Sequence, residues 1–232
     1  RVYEIIMNDL NEIRRKFNDK RRTDIESVSG EVDIEDLIPV EDCVVTLTNN
    51  GYIKRMPVAE YKTQRRGGRG ITGMKQREED FVEEMFICGT HDNILFITNK
   101  GIMYKLKCYE IPDGSKASRG FNLINLLPLT ENEKVTAMIK TADFGDDRFI
   151  TIVTKNGKIK RTNLSFYKNV RKNGLIAIGL DEGDEIAGCR MTNGKEQIFV
   201  ATRNGMAIRI EEEKGRALSR SAHGVKAIKL RE

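Results

Sequence analysis

The chain has 232 residues, a formal net charge of +5, no Trp and only 6% aromatic residues. This length can bury a full core, and the basic balance is compatible with a polyanionic partner. The few aromatic side chains argue against base stacking as the main mode of binding. Four Cys residues without a C-x-x-C pair, and only two His residues, argue against a metal site and favour small core positions in a reducing cytoplasm.

The first residues follow a helical pattern. One apolar stripe recurs at a 3.6-residue period and comprises Val2, Ile5, Ile6, Leu10, Ile13 and Phe17. We assign residues 1–22 to the end of a longer helical element whose partner lies upstream; the alternative is a helix docked on its own domain. Residues 23–36 are acidic, interspersed with Ser and Gly, and predict a linker.

From residue 37 to 232 the chain repeats one pattern: an apolar run, Thr, two polar residues, Gly and, four residues later, a cation. The glycines are Gly51, Gly101, Gly157 and Gly205. The β-branched runs on both sides predict β-hairpins in which glycine supplies the positive φ. Separations of 50, 56 and 48 residues predict an all-β, propeller-like array with about four blades of roughly 50 residues.

Each repeat also carries a cationic loop that ends in glycine and an apolar residue. These glycines, Gly70, Gly120, Gly174 and Gly224, follow the hairpin glycines by 19, 19, 17 and 19 residues. The first loop holds the strongest motif, which we call the glycine–arginine motif: Gln64, Arg65, Arg66, Gly67, Gly68, Arg69 and Gly70. Arginine matches phosphate oxygens, and glycine allows close approach. Recurrence in register indicates a surface that follows a polyanion; the alternative is a set of solvated basic loops.

An acidic turn follows each of the first three loops, within 78–82, 131–135 and 181–186. We expect these carboxylates on a different edge from the cationic loops, the alternative being ordinary polar turns. The fourth repeat stops at Glu232, before its acidic turn, so we expect further blades in the natural protein.

The glycine–arginine motif resembles the seven-residue box of the C-terminal domains of the bacterial DNA gyrase A protein. Segments 33–39, 51–57 and 71–74 resemble its flanks, and segments 171–178 and 204–209 resemble the third and fourth blades. This resemblance implies a β-pinwheel, a propeller-like disc of usually six blades that exchange strands. It also implies that residues 1–22 end the coiled coil of the N-terminal breakage–reunion domain. The catalytic tyrosine belongs to that upstream domain, so we expect no catalytic residue here.

The resemblance further implies a function. Duplex DNA wraps around a basic rim, so that the enzyme passes strands in the sense that introduces negative supercoils. ATP and Mg are bound by other domains, and we expect no cofactor or metal in this chain. The implied partners are DNA, the N-terminal domain of the same polypeptide, and the gyrase B protein in an A2B2 assembly, with no membrane. The implied location is the bacterial cytoplasm, at the nucleoid.

We predict the strongest phosphate contacts from Arg65, Arg66 and Arg69, with the three glycines of the motif permitting close approach. Secondary contacts are expected from other loop and hairpin cations: Lys54, Arg55, Lys105, Arg119, Lys160, Arg161, Arg171, Lys172, Arg209 and Arg220. No base-reading helix is evident, so we expect little sequence specificity beyond deformability.

Three alternatives stay open. The sister family, the C-terminal domain of the topoisomerase IV A protein, resembles this blade pattern but has a degraded motif. A kelch-like interaction scaffold would share the period, and its binding would depend little on salt. An enzyme with its own active site would need a convergent His, Cys or carboxylate constellation, which the sequence does not display.

Overall fold

The computed structural model describes residues 1–20, 22–23, 34–60, 80–115 and 117–230. The chain divides into two compact units, residues 1–37 and 38–232. The first unit contains helix α1 (Val2–Phe17) and the short 3-10 helix Ile34–Leu37. The second unit contains all the β-strands that the structure describes.

Helix α1 forms where the apolar period predicts it. Its last turn carries Arg14, Arg15 and Lys16, which suits the negative C-terminal end of the helix dipole, and Lys16 pairs with Glu12 at 2.7 Å. None of its residues is buried among the residues that the structure describes. The partner of its apolar stripe therefore stays a prediction.

The second unit contains fourteen strands among the described residues. They are β1 (Asp42–Thr48), β2 (Tyr52–Pro57), β3 (Val82–Gly89), β4 (Asn93–Thr98), β5 (Ile102–Lys107), β6 (Phe121–Asn122), β7 (Val135–Thr141), β8 (Phe149–Thr154), β9 (Lys158–Asn163), β10 (Leu175–Ile176), β11 (Ile186–Thr192), β12 (Gln197–Ala201), β13 (Ala207–Glu211) and β14 (Val225–Lys226). Short 3-10 helices follow the second strand of each hairpin, at Val58–Glu60, Cys108–Glu110, Leu164–Tyr167 and Glu212–Lys214.

These strands form four antiparallel sheets, which confirms the predicted repeat. The strand orders are β3-β1-β2-β6, β7-β4-β5-β10, β11-β8-β9-β14 and β12-β13. Each of the first three sheets takes its outermost short strand from the following repeat, because β6, β10 and β14 each come after the next hairpin in the chain. This exchange of strands between neighbours is the arrangement expected of a β-pinwheel.

The repeated Thr and Gly build the hairpin turns. The Thr hydroxyl oxygens accept from the backbone N–H four residues on, at 3.1 to 3.3 Å. The Gly N–H donates back to the Thr carbonyl at 2.9 to 3.1 Å. Each glycine has φ between +78° and +81°, a region that favours glycine over residues with a Cβ. The spacing of Thr and Gly is therefore a requirement of the turn.

The apolar core lies between successive sheets. Strand β4 is buried on both faces, since successive side chains of a strand point in opposite directions. Ile94 and Phe96 join the cluster shared with the first sheet, and Leu95 and Ile97 join the cluster shared with the third sheet. All four Cys residues are buried and free, as expected of small core residues, and burial raises the pKa of Cys189 to about 12.

Candidate nucleic-acid interface

The strand exchange places three cationic loops on one edge of the array. The loops over 111–120, 168–174 and 215–224 lead directly into β6, β10 and β14, which form the outer edge of the first, second and third sheets. At the opposite edge β3 contacts β7, and β7 contacts β11. We call the side with β6, β10 and β14 the loop edge.

The glycine–arginine motif, residues 64–70, lies outside the described residues. The predicted contacts of Gln64, Arg65, Arg66, Gly67, Gly68, Arg69 and Gly70 therefore stay predictions. The loop edge is described by the other three loops.

In the second loop, Arg119 is held against the first sheet. Its guanidinium carbon lies 3.6 Å from the centre of the Tyr52 ring, a stacked geometry that suits the delocalised charge. The side chain is half-buried, and its Nε has no hydrogen-bond partner within the described structure. Tyr52, which the sequence analysis did not single out, thus supports a cation at the loop edge.

The third and fourth loops present further cations. Arg171 and Lys172 are exposed, and Arg220 is half-buried. None of the three forms an ion pair with a residue that the structure describes. Arg209 is exposed on β13 and, within the same described ranges, also lacks an ion pair. These four residues stay on the list of predicted contacts.

Lys54 and Lys160 are buried, whereas a contact with a DNA phosphate requires an ammonium group at the surface. Each is only 1% exposed, and each donates from Nζ to backbone carbonyls inside the protein. Burial lowers the pKa of Lys54. Burial, with a smaller effect of the Arg220 charge, lowers the pKa of Lys160 to about 8. We therefore withdraw both from the predicted DNA contacts, because a buried ammonium cannot also meet a phosphate outside.

In the first three repeats, the cation four residues after the hairpin glycine contacts the following repeat. Arg55, whose side chain is 14% exposed, pairs with Asp113 at 3.0 Å and donates from Nε to the Ile111 carbonyl at 2.7 Å. Lys105 donates to the Lys168 carbonyl at 2.7 Å. These bonds give the repeated cation a structural reason to recur.

Arg161 follows the same pattern in the third sheet. Its side chain is 15% exposed and lies 3.8 Å from the buried carboxylate of Glu212, in the fourth repeat. Its guanidinium also lies 4.6 Å from the centre of the Phe149 ring. We therefore leave Arg55, Lys105 and Arg161 out of the proposed contact set.

The loop glycines also have a structural explanation. A Cβ on Gly120 would lie 2.5 Å from the Ile53 carbonyl oxygen, and one on Gly224 would lie 2.8 Å from that of Ile159. A Cβ on Gly174 would meet the Ile102 side chain at 2.7 Å. The glycine therefore recurs because the loop docks on the preceding hairpin, whereas the sequence analysis attributed its recurrence to a polyanion.

Each acidic turn lies against the hairpin turn of its own repeat. Asp80 accepts from the Asn50 N–H at 3.2 Å, and Asp184 accepts from the Asn156 N–H at 3.0 Å. Glu133 accepts from the Thr98 hydroxyl at 2.8 Å. Although burial opposes its ionisation, hydrogen bonds from Thr130, Thr98 and Tyr104 hold the pKa of Glu133 below its usual range. We call this region the turn edge.

Some cations of the turn edge are held by residues of the same edge. Lys155 pairs with Glu185 at 2.5 Å, and Lys100 donates to the Glu131 carbonyl at 2.6 Å. An ion pair also joins the two edges, because Asp181 binds both Lys158 and, at 3.0 Å, His223 at the end of the fourth loop. The two bonds hold the pKa of Asp181 below its usual range. Carboxylates thus lie beside cations at the turn edge, where Lys155 and Lys158 are paired, whereas Arg171, Lys172 and Arg220 at the loop edge form no ion pair with a described residue.

Neither a metal centre nor a membrane span is found in the described part of the chain. It contains no group of three or more His, Cys, Asp or Glu side chains placed to hold an ion. No helix within it has the length and apolar character needed to cross a bilayer.

The family model of the DNA gyrase C-terminal domain, beta-propeller, matches residues 44–88, 92–142, 149–193 and 196–232. The chain belongs to this family. The four matches follow the four repeats, since each begins at or next to the first strand of a hairpin. The resemblance given by the glycine–arginine motif and its flanks is thus confirmed by the blades.

Curated relatives of similar sequence are the A proteins of bacterial DNA gyrases. The chain is 50% identical to that of Clostridium acetobutylicum over 97% of its length. It is 46% identical to that of Halalkalibacterium halodurans over 98% of the present chain, and 45% identical to that of Staphylococcus aureus over all of the present chain. It spans only 26% to 27% of the length of these relatives.

Solved structures agree on the fold. The C-terminal domain of DNA topoisomerase IV matches with a TM-score of 0.72 and 30% identity, covering 84% of this chain and 59% of that one. The DNA gyrase A C-terminal domain matches with a TM-score of 0.65 and 29% identity, covering 83% of this chain and 62% of that one. The E. coli ParC C-terminal domain matches with a TM-score of 0.64 and 16% identity, and the match covers 82% of this chain and 72% of that one. At this identity the match supports the fold alone.

Proposed function

We propose that this chain binds duplex DNA along the loop edge and bends it around the array. The observation that carries the proposal is the charge of the loop edge, at Arg119, Arg171, Lys172 and Arg220, which forms no ion pair with a described residue, beside a turn edge where Lys155 and Lys158 pair with carboxylates. Duplex DNA carries one negative charge per ~1.7 Å of axis, and cations that meet its phosphates release condensed counterions.

Several repeats must contribute for the DNA to bend. Smooth bending of 20–30 bp by 40–90° costs about 1–6 kcal/mol, so contacts on one sheet alone would leave the duplex straight. The three described loops occupy the same edge of successive sheets, and the glycine–arginine motif would add a fourth. We expect little sequence specificity, because the contacts are with phosphate.

We infer that the wrapped DNA serves a DNA gyrase. By family membership, wrapping presents a neighbouring segment of the same DNA to the strand-passage gate in a positive crossing sense, and passage introduces negative supercoils. The N-terminal domain of the same polypeptide would cleave the DNA, and the gyrase B protein would bind ATP and Mg in an A2B2 assembly, in the bacterial cytoplasm at the nucleoid. This chain would supply the direction of passage.

A second candidate is the corresponding domain of the topoisomerase IV A protein. It is favoured by the structural match of TM-score 0.72 and 30% identity to the topoisomerase IV domain. The intact glycine–arginine motif and the names of the curated relatives favour gyrase. Negative supercoiling of relaxed plasmid by the complete protein with its ATP-binding partner separates the two, since only gyrase introduces it.

The proposal is tested by titrating the complete natural protein against a linear duplex of about 150 bp, one persistence length, at increasing salt. DNA binding through phosphates predicts that log Kobs falls linearly with log [salt], with a slope of about −0.9 per neutralised phosphate. A slope near zero would favour the interaction scaffold and contradict DNA binding.

A further inference from the structure

A lysine is buried at the same register in the first and third sheets. Lys54 and Lys160 both lie three residues after their hairpin glycine, on β2 and β9, and each is 1% exposed. An ammonium group in such a place needs internal acceptors. Lys54 Nζ donates to the carbonyls of Ser115 and Ser118, each at 3.0 Å.

Lys160 makes the same kind of contact. Its Nζ donates to the Ala177 carbonyl at 2.8 Å and to the Arg220 carbonyl. Ser115, Ser118 and Arg220 all belong to cationic loops, and in each case the loop comes from the repeat after the lysine. Each buried lysine therefore holds the backbone of the next repeat's loop.

The second sheet has no lysine at this register, and the loop that docks on it differs in length. Its equivalent residue is Tyr104, whose hydroxyl donates to the Pro128 carbonyl and to Glu133. The loop that docks there is shorter, since Gly157 and Gly174 are 17 residues apart, whereas the loops docked on Lys54 and Lys160 end 19 residues after their hairpin glycines. The longer loops thus go with a buried lysine.

Stability alone gives a weak reason for these lysines. Desolvation penalises a buried ammonium, and well-packed apolar residues of similar volume often serve a core as well or better. What an apolar residue does not supply is a donor for two carbonyls of an irregular loop. That donor pins the loop backbone beside Gly120, where Ile53 leaves no room for a Cβ, and so fixes where Arg119 stands over Tyr52.

We propose that Lys54 and Lys160 are positioning residues for DNA binding, which hold the next repeat's cationic loop so that its cations meet the duplex. The inference rests on the proposed function. It assigns to two basic residues an effect on DNA binding that acts through the loop backbone, without contact between their ammonium groups and the DNA. It also makes the first and third sheets responsible for positioning the cationic loop of the repeat that follows each of them.

The test compares Lys54→Met with Lys100→Met in the complete natural protein. Both changes remove one positive charge, but Lys100 lies at the turn edge. We expect Lys54→Met to make the slope of log Kobs against log [salt] shallower by about 1 to 2, since each lost phosphate contact changes it by about 0.9. Lys100→Met is expected to leave the slope unchanged.

Amide hydrogen exchange supplies a second readout. In Lys54→Met the amides of 111–120 are expected to exchange faster, while those of β4 keep their wild-type protection. A purely structural role for the lysine would leave the salt slope at its wild-type value once the protein is folded.

The outcomes distinguish failure of the positioning role from failure of the proposed function. Equal slopes for Lys54→Met and Lys100→Met would overturn the positioning role, even if wild-type binding is steeply salt-dependent. A flat slope in the wild type would instead remove the proposed function itself. If Lys54→Met does not fold, Lys160→Met is compared with Lys155→Met in the same way, with exchange followed over 215–224, and equal slopes there overturn the proposal.

Discussion

The loop edge and the turn edge both carry charged residues but use them differently. At the turn edge, Lys155 pairs with Glu185, and the carboxylates of Asp80 and Asp184 accept hydrogen bonds from backbone N–H groups of the hairpin turns. At the loop edge, Arg171 and Lys172 form no ion pair with any described residue. A modest net charge of +5 is therefore compatible with cations that have no ion pair among the described residues on one side of the array.

The basic residues at the loop edge and on the strands beneath it are of two kinds. Lys54 and Lys160 point their charge inward, at carbonyls; Arg171 and Lys172 are exposed. Counting basic residues therefore overstates the surface available to phosphate. Substitutions at one edge, matched by equal changes of charge at the other, can separate the effect of position on DNA binding from the effect of net charge.

The largest effect is expected from the glycine–arginine motif. Replacing Arg65, Arg66 and Arg69 with Ala should abolish negative supercoiling by the complete enzyme, because wrapping would fail, while ATP-dependent relaxation survives. Plasmid topology on agarose gels measures both activities. The charge-matched control replaces Lys100, Lys155 and Lys134, an exposed lysine that follows Glu133 in the second acidic turn, with Ala. A motif variant that still supercoils normally would remove the motif from the mechanism.

A smaller effect is expected from a single loop. The double change Arg171→Ala and Lys172→Ala should make the salt slope of DNA binding shallower by up to about 2, at roughly 0.9 per phosphate. The matched double change Lys100→Ala and Lys155→Ala removes the same charge from the turn edge and should leave the slope as it is. Equal effects of the two pairs would mean that net charge, and not the loop edge, determines binding.

The smallest effect concerns the buried lysine of the third sheet. Burial lowers the pKa of Lys160 to about 8, against about 10.4 in an unfolded chain. Between these values the unfolded state holds the proton that the folded state has released, so the free energy of unfolding rises with pH across this window. Lys160→Met lacks this contribution.

Denaturant melts at pH 7 and pH 9.5 measure that difference. The stability of the wild type relative to Lys160→Met should increase from the lower to the higher pH. Tyr104→Phe, at the equivalent position of the second sheet, is the control: burial raises the pKa of Tyr104 to about 12, which lies above the window. A wild type that loses stability relative to Lys160→Met on going to pH 9.5 would contradict the burial of a charged amine.

The fold could be predicted from the sequence because its signals are local and repeated. Thr and Gly at fixed spacing mark each turn through bonds between residues three and four apart, and the period of about 50 residues follows from four such marks. The strand exchange could not be derived from these signals. Pairings such as Phe121 with Ile53 join residues far apart in the chain, and only the family resemblance implied them.

The site was predicted less well. The register of Lys54 and Lys160 is shared with Tyr104 and Ile208, two large residues with apolar bodies, and this pattern was the available sign of an interior position. The pairing of Arg55 with Asp113 depends on the docking of one repeat on another. Composition alone does not distinguish these cations from surface charge.

The most direct test places a photo-crosslinking residue at one edge at a time. Position Lys172 represents the loop edge and position Lys155 the turn edge, in the complete natural protein bound to linear duplex DNA. The account predicts a strong crosslink to DNA from position 172 and none above background from position 155. A crosslink from position 155 with none from position 172 would contradict the loop edge as the DNA-binding surface.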